Sequence, residues 1–307
     1  MVEQSDPELP RGIALAWGVA AAPQRGPKRE MSVERIVDAA VEIADADGLS
    51  AVSMAAVAAK LGYTPMSLYR YVSAKDDLVL LMQEQATGLP SEASREGPWR
   101  ERLECLYAEQ VHSYLAHPWA LEVPISGVAV TPNSAAWMDA GLHALADTPL
   151  MHEERISVML LVTGLARWTG IVFAGYDRGA RESGLSAEEI TIRDDALFRE
   201  LITDDAYPSL REAIDDGVFL DENDPFLFGL ARALDGVAAY IAEIEAGGER
   251  EAPSQADDPH PAGLNEDKRV REVRKAVRDA EKTLRDARKA ERQAVREATE
   301  RLMRRSS

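Results

Sequence analysis

The stretch from Thr64 to Lys75 concentrates the groups in this 307-residue chain that are best suited to recognising another molecule. Thr64, Ser67, Tyr69 and Tyr71 supply hydroxyls that donate and accept hydrogen bonds, and Arg70 adds a planar fork of N–H donors. Such a fork suits a guanine edge or a phosphate, while the apolar Pro65 and Met66 suit a thymine methyl. Lys75 follows closely, where a cation can hold a duplex backbone and set its register. Upstream, Arg25, Lys28 and Arg29 surround Pro27 as a small basic arm of the kind that tracks phosphates or enters a minor groove. This is the chemistry of binding. On spacing and polarity alone, the segment fits a helix that reads DNA and also a turn in a bundle that never touches it.

Bond-making chemistry has no comparable cluster. His112, His117, His143, His152 and His260 lie outside any HExxH or paired-cysteine context, and Gly26-Pro27-Lys28 lacks the glycines of a phosphate loop. The pairs Asp76-Asp77, Asp194-Asp195 and Asp215-Asp216 read as solvated faces. Cys105, the single cysteine, excludes an internal disulfide framework and fits a small buried hydrophobe in a reducing compartment. No enzyme, metal or cofactor is expected.

The elements that must position the binding groups are helical. Val33, Ile36, Val37, Ala40 and Ala44 mark one face of a first helix, with Ser32 as its N-cap and Gly48 just past its end. A second helix starts behind Ser53, carries Met54, Val57, Ala58 and Leu61, and breaks at Gly62. The third is short, from Pro65 to about Tyr71, with Thr64 as N-cap; Leu68 and Val72 are its inward side. A fourth is expected from Ser73, with Asp76 as capping-box partner. Two short helices around Leu61-Gly62-Tyr63 make a helix-turn-helix pattern. After a Gly/Ser/Pro connector at 88–98, helical segments are expected near 99–117, 132–146, 151–176, 186–203, 205–216 and 224–246.

The domain division that follows is an arm at 1–31, a helix-turn-helix domain at 32–90, a helical bundle at 99–247, a linker at 248–265 and a charged helix at 266–307. The fold class is all-α. The apolar run Ile13–Ala22 follows Glu3, Asp6 and Glu8, the wrong charge for a signal peptide; it reads as part of the arm, with Trp17 docking on the body of a cytoplasmic protein. Net charge is −18, which argues against indiscriminate nucleic-acid binding. That charge is unevenly spread: from Glu266 onward there are 15 Lys/Arg against 9 Asp/Glu, and the remainder carries 20 against 44.

The run Ser32–Leu81, and above all Leu61-Gly62, Ser67-Leu68-Tyr69, Tyr71-Val72 and Lys75-Asp76-Asp77-Leu78, resembles the DNA-binding domain of the tetracycline-repressor (TetR) family. The resemblance implies DNA contacts from Thr64, Pro65, Met66, Ser67, Tyr69, Arg70, Tyr71 and Lys75, with Ser53 and Met54 at a phosphate. Ala55 and Ala56 stand where many members carry an arginine, so one charge-assisted contact is missing and the arm gains importance. The resemblance also implies a homodimer on double-stranded operator DNA, released by an unknown small-molecule effector, with no membrane partner. Dimer-face candidates are Leu161, Leu165, Trp168, Phe226, Leu230, Leu234, Val237 and Ile241, and pocket candidates are Trp119, Trp137, His143, Met159 and Trp168. The competing reading is a helical adaptor that uses its acidic body and coiled tail to bind proteins.

The tail departs from the family pattern. Val270, Val273, Val277, Ala280, Leu284 and Ala287 form a weak heptad seam that falters at Glu291. The favoured reading is a solvated single helix stapled by i,i+4 pairs such as Glu281 with Arg285; a weak coiled coil, and a basic helix that touches DNA flanking the operator or folds back on the acidic body, compete with it.

Overall fold

A computed structural model of the chain describes residues 9–19, 31–125, 127, 130–221, 223–250 and 267–306. Among these there are twelve α-helices, four short 3₁₀ turns and no strand, so the all-α expectation holds. The chain divides into two compact units, Met1–Glu249 and Arg250–Ser307.

In the first unit, α1 (Arg11–Ala16) turns part of the expected arm into a short helix. Gly12 lies buried against Asp77, and the Trp17 indole N–H donates to the Val130 carbonyl at 2.9 Å. Helix α2 (Val33–Asp47) begins at Ser32, whose hydroxyl accepts from the Arg35 N–H, and it buries Ile36, Val37, Ala40 and Ala44. Helices α3 (Met54–Leu61), α4 (Pro65–Leu68) and α5 (Lys75–Thr87) follow. The capping box expected at Ser73 and Asp76 does not form: α5 starts one residue later, behind Ala74, and both side chains face solvent. The fully buried Ile36, Val52, Val57, Leu68, Val72, Leu78 and Met82 close a core around these helices. Each such burial contributes about 1.5–3 kcal/mol.

A second core lies among α6 (Trp99–Ala116), α7 (Pro132–Ala144), α8 (His152–Ser183) and α11 (Pro225–Glu245). Leu103, Leu106, Val162, Ala166 and Leu234 form its centre. Tyr107 and Thr169 share a buried hydroxyl–hydroxyl bond of 2.8 Å, and Arg100 ties α6 to α11 through Asp235 at 2.7 Å and the Ala231 carbonyl at 3.0 Å. Burial, with the nearby Glu109 carboxylate, pushes the Cys105 thiol up. Helix α9 (Ala187–Leu201) packs on α8, and α10 (Pro208–Asp215) packs on α9, where Arg199 donates to the Ile214 carbonyl at 2.6 Å.

This packing corrects part of the expected dimer face. Leu230, Leu234 and Ile241 are at most 7% exposed and belong to the intramolecular core, because α11 turns that side toward α6 and α8. Val237 and Leu165 pack against the same core, and Phe226 meets Phe173 edge to face. Leu161 and Trp168 do face outward, with Ile156, Leu160, Ile171, Leu227 and Phe228. Helices α8 and α11 are long and apolar enough to cross a membrane, but they do not indicate one: the core helices of a bundle carry the same apolar length.

In the second unit, α12 (Lys268–Ser306) is one uninterrupted helix.

Candidate nucleic-acid interface

Local sequence builds the turn between α3 and α4. Gly62 adopts φ +76°, a left-handed conformation in which a Cβ is strained, and there it closes the end of α3. The Tyr63 N–H donates to the Ala58 carbonyl at 2.9 Å and the Gly62 N–H to the Ala59 carbonyl at 3.1 Å, the paired bonds of a Schellman stop. Pro65 then starts α4, its missing N–H harmless at a first helical position. Leu68 and Val72, both at 0% exposure, pin this segment to the core.

Pinning by Leu68 and Val72 decides what faces water. Thr64, Pro65, Tyr69 and Arg70 are exposed, and Met66 is 75% exposed. An apolar side chain left this bare is unusual at the end of a well-packed helix and suits contact with a partner. Ser67 is half-buried, with its hydroxyl donating to the Thr64 carbonyl. Tyr71 packs partly on the core, so its ring is less available than the sequence suggests. Lys75 is exposed at the first position of α5. Ser53 already serves its own helix by accepting from the Ala56 N–H at 3.1 Å. Met54 is 6% exposed, which corrects its assignment: the side chain is core, and its backbone N–H at the α3 start is what remains for a phosphate. Arg25, Lys28 and Arg29 lie outside the described residues.

The five pocket candidates do not converge. Trp119 is 2% exposed within the core of the helix-turn-helix domain, its indole N–H donating to Asp45 Oδ1 at 2.7 Å. Trp137 is half-buried and donates to the Gly88 carbonyl at 3.1 Å. Met159 fills the space left by Gly141. His143 is exposed near the end of α7, and Trp168 is 57% exposed on the outside of α8. A buried indole bonded to a carboxylate and an outward-facing indole cannot line one cavity.

A connection between the two cores was missing from the sequence reading. The 3₁₀ turn Pro118–Glu122, with His117 just before it, inserts between α2 and α8. Asp45 of α2 accepts from both Trp119 Nε1 and His117 Nδ1, the latter at 2.8 Å. From the other side, Arg167 of α8 donates to the Leu121 and Val123 carbonyls at 2.9 and 3.2 Å, and Arg178 pairs with Glu122 at 3.1 Å. Glu84 of α5 similarly holds α7: Oε1 accepts from the Asn133 N–H and the Glu84 carbonyl from Asn133 Nδ2 at 2.7 Å. Each partner lies 40 or more residues away, so no local periodicity marks it.

Residues 36–82 match the model for bacterial regulatory proteins of the tetR family, and residues 89–241 match that for the tetracyclin repressor-like C-terminal domain. A transcriptional repressor of Streptomyces coeruleorubidus, DrrR1, is 33% identical over 239 residues, which is 77% of this chain and 88% of that protein. The chain belongs to the TetR family. It is a DNA-binding transcriptional regulator. A transcriptional regulator of Saccharopolyspora erythraea is 34% identical over 117 residues, 38% of this chain and 50% of that protein. In fold, this TetR-family chain is similar to apo ActR of Streptomyces coelicolor, with a TM-score of 0.59 and 22% identity over 71% of this chain and 100% of ActR.

Proposed function

We propose that this regulator works as a homodimeric repressor that leaves its operator when a small molecule binds among α6, α7, α8 and α11. The observation that carries the DNA-reading half is the α4 surface: Thr64, Pro65, Met66, Tyr69 and Arg70 face water while Leu68 and Val72 hold the backbone rigid beneath them. Repression and ligand response are supported by the repressor relative DrrR1 and by ActR, a fold neighbour crystallised with actinorhodin at 22% identity. Two half-sites one helical turn apart need two reading heads at fixed spacing. Leu161, Trp168 and Ile171, with Leu227 and Phe228 on α11, form the apolar surface we assign to the second copy. Gly164 and Gly175 lie on the same side of α8, and an added Cβ at either would meet nothing within 4 Å, which leaves room for close approach.

For the effector, Gln110 Oε1 is a buried acceptor without a hydrogen-bond partner beside α8, and it supports placing a ligand donor there. Ligand binding that shifts α8 would act through Arg167 and Arg178 on the Pro118–Glu122 turn, and through Asp45 on α2. DNA affinity then falls by the coupling free energy, about 1–3 kcal/mol.

The test is selection of bound duplex from a random pool, comparing the native chain with Arg70→Ala. A two-fold symmetric sequence that Arg70→Ala binds about 5- to 150-fold more weakly is expected. No enriched sequence would overturn the reading and favour the protein adaptor.

A further inference from the structure

The helix-turn-helix domain is poorly charged for its task. Residues 32–90 carry four cations, Arg35, Lys60, Arg70 and Lys75, against eight carboxylates. Lys60 is already paired with Glu42 at 2.8 Å. Phosphate neutralisation dominates the affinity of proteins for duplex DNA, so cations elsewhere in the chain gain weight.

Helix α12 carries them in a pattern that its apolar seam conceals. Arg271, Lys275, Arg278, Lys282, Arg285 and Lys289 alternate at spacings of four and three, and all six side chains are exposed. Among the described residues none of the six is held in an ion pair. The same spacing continues in the sequence to Arg292 and Arg296, past Glu291 where the seam stops. Positions spaced 4-3-4-3 fall in one stripe along a helix. At 1.5 Å per residue the eight positions span about 37 Å, close to the length of one turn of B-DNA. The seam residues Val270, Val273, Val277 and Leu284 lie on the opposite side, so pairing of two copies through them would leave the stripe outward.

Self-support explains part of the charge pattern, since Lys275 and Asp279, Glu281 and Arg285, and Lys282 and Asp286 are opposite-sign pairs at i,i+4. It does not explain the stripe itself, along which each neighbouring pair has the same sign and opposes folding. Glu272, Asp279 and Asp286 recur one position after an arginine, about 100° around the helix, and flank the lysines without interrupting the stripe. A single-sign stripe of this length complements a polyanion.

We propose that the α12 stripe is a second DNA-binding surface, lying along the phosphate backbone of duplex DNA that flanks the sequence read by α4. This rests on the DNA-reading role of α4. The stripe supplies affinity without sequence preference, and α4 supplies the preference.

The experiment uses the full chain and a duplex it selects from a random pool, either trimmed to its footprint or carrying about 30 bp of unrelated sequence on each side, a flank that exceeds the stripe's span. One variant replaces all six described cations with Gln, a substitution that keeps helix propensity. A second exchanges Arg271, Arg278 and Arg285 for Lys, keeping the charge. The neutralised chain should bind the flanked duplex at least about 10-fold more weakly near 0.1 M salt, with a log–log salt slope shallower by about 3 or more. Both variants should bind the trimmed duplex within about two-fold of the native chain, and the Lys exchange should keep native affinity on the flanked one. Equal affinity and slope for native and neutralised chains on the flanked duplex would overturn the proposal. So would a loss confined to binding of phosphatidylserine vesicles. Arg70→Ala separates the two readings: it should weaken both duplexes, and a chain that selects no sequence yet keeps stripe-dependent duplex binding fails the α4 reading alone.

Discussion

Asp45→Ala removes the one carboxylate oxygen that holds both Trp119 and His117 to α2. Trp119 is 2% exposed while the Asp45 side chain is 34% exposed, so water entering in place of the carboxylate offsets only part of the loss to the indole N–H. A hydrogen bond to a charged group contributes about 1.5–3 kcal/mol net, which sets the expected loss at about 2–3 kcal/mol. For a body of this size, where 1 kcal/mol moves the midpoint by about 2–4 °C, Tm should fall by about 4–12 °C. Asp45→Asn keeps an oxygen acceptor and loses only the charge, so it should cost about 1 kcal/mol. Urea denaturation followed by tryptophan fluorescence measures all three chains. Trp119→Phe closes a double-mutant cycle in which the coupling with Asp45→Ala should reach at least about 1 kcal/mol. An Asp45→Ala chain within about 0.5 kcal/mol of native, with no coupling to Trp119→Phe, would refute the reasoning. It would also remove the Pro118–Glu122 turn as a route from α8 to α2.

Leu161→Lys with Trp168→Glu places charges on the face assigned to the second copy; sedimentation velocity should find a monomer, and DNA affinity should fall at least about 10-fold because one reading head is lost per site. A dimer that survives both changes would move the interface elsewhere. Gly170→Ala would set a Cβ 2.9 Å from Tyr114 Cβ and 3.2 Å from its ring, so a loss of about 1–3 kcal/mol is expected in chemical denaturation. Gly164→Ala, which meets nothing within 4 Å, should cost nothing in the monomer, and equal losses at the two positions would contradict this packing. The bond from Arg100, followed by the charges of Arg232 and Arg100, holds the Asp235 carboxyl below the usual carboxylate range. A folded pKa below the unfolded one stabilises above the unfolded value, and that contribution disappears as pH falls through the folded one. Stability should therefore decline below about pH 4, and Arg100→Met should flatten that decline in denaturation midpoints measured from pH 7 to pH 3.

Much of the helix-turn-helix was legible because its signals are short-range. Ser32 and Ser53 cap helices whose N–H groups are three residues away, Gly62 stops α3 within the same turn, and Pro65 starts α4 by its own ring. The inward direction of Leu68 and Val72 follows from helical spacing, and with it the outward direction of Thr64, Met66, Tyr69 and Arg70. Ser73 shows the limit of such rules: a good capping residue yields when the helix begins one position later.

What the sequence could not decide was which apolar groups meet each other and which meet a partner. Leu230 and Phe228 look alike in an apolar helix, yet one is core and the other exposed, because α11 docks against α6 and α8 at one rotation about its axis. Trp119 and Trp168 both read as pocket walls, until the fold set the first on Asp45, 74 residues away, and turned the second outward. Composition and periodicity carry the helices, their caps and the charge stripe, since these depend on neighbours within a turn or along one helix. The rotation of a helix in its bundle, and the bonds from Asp45, Arg100 and Arg167 that hold it there, depend on groups far apart in the chain, and only the tertiary structure brings those together.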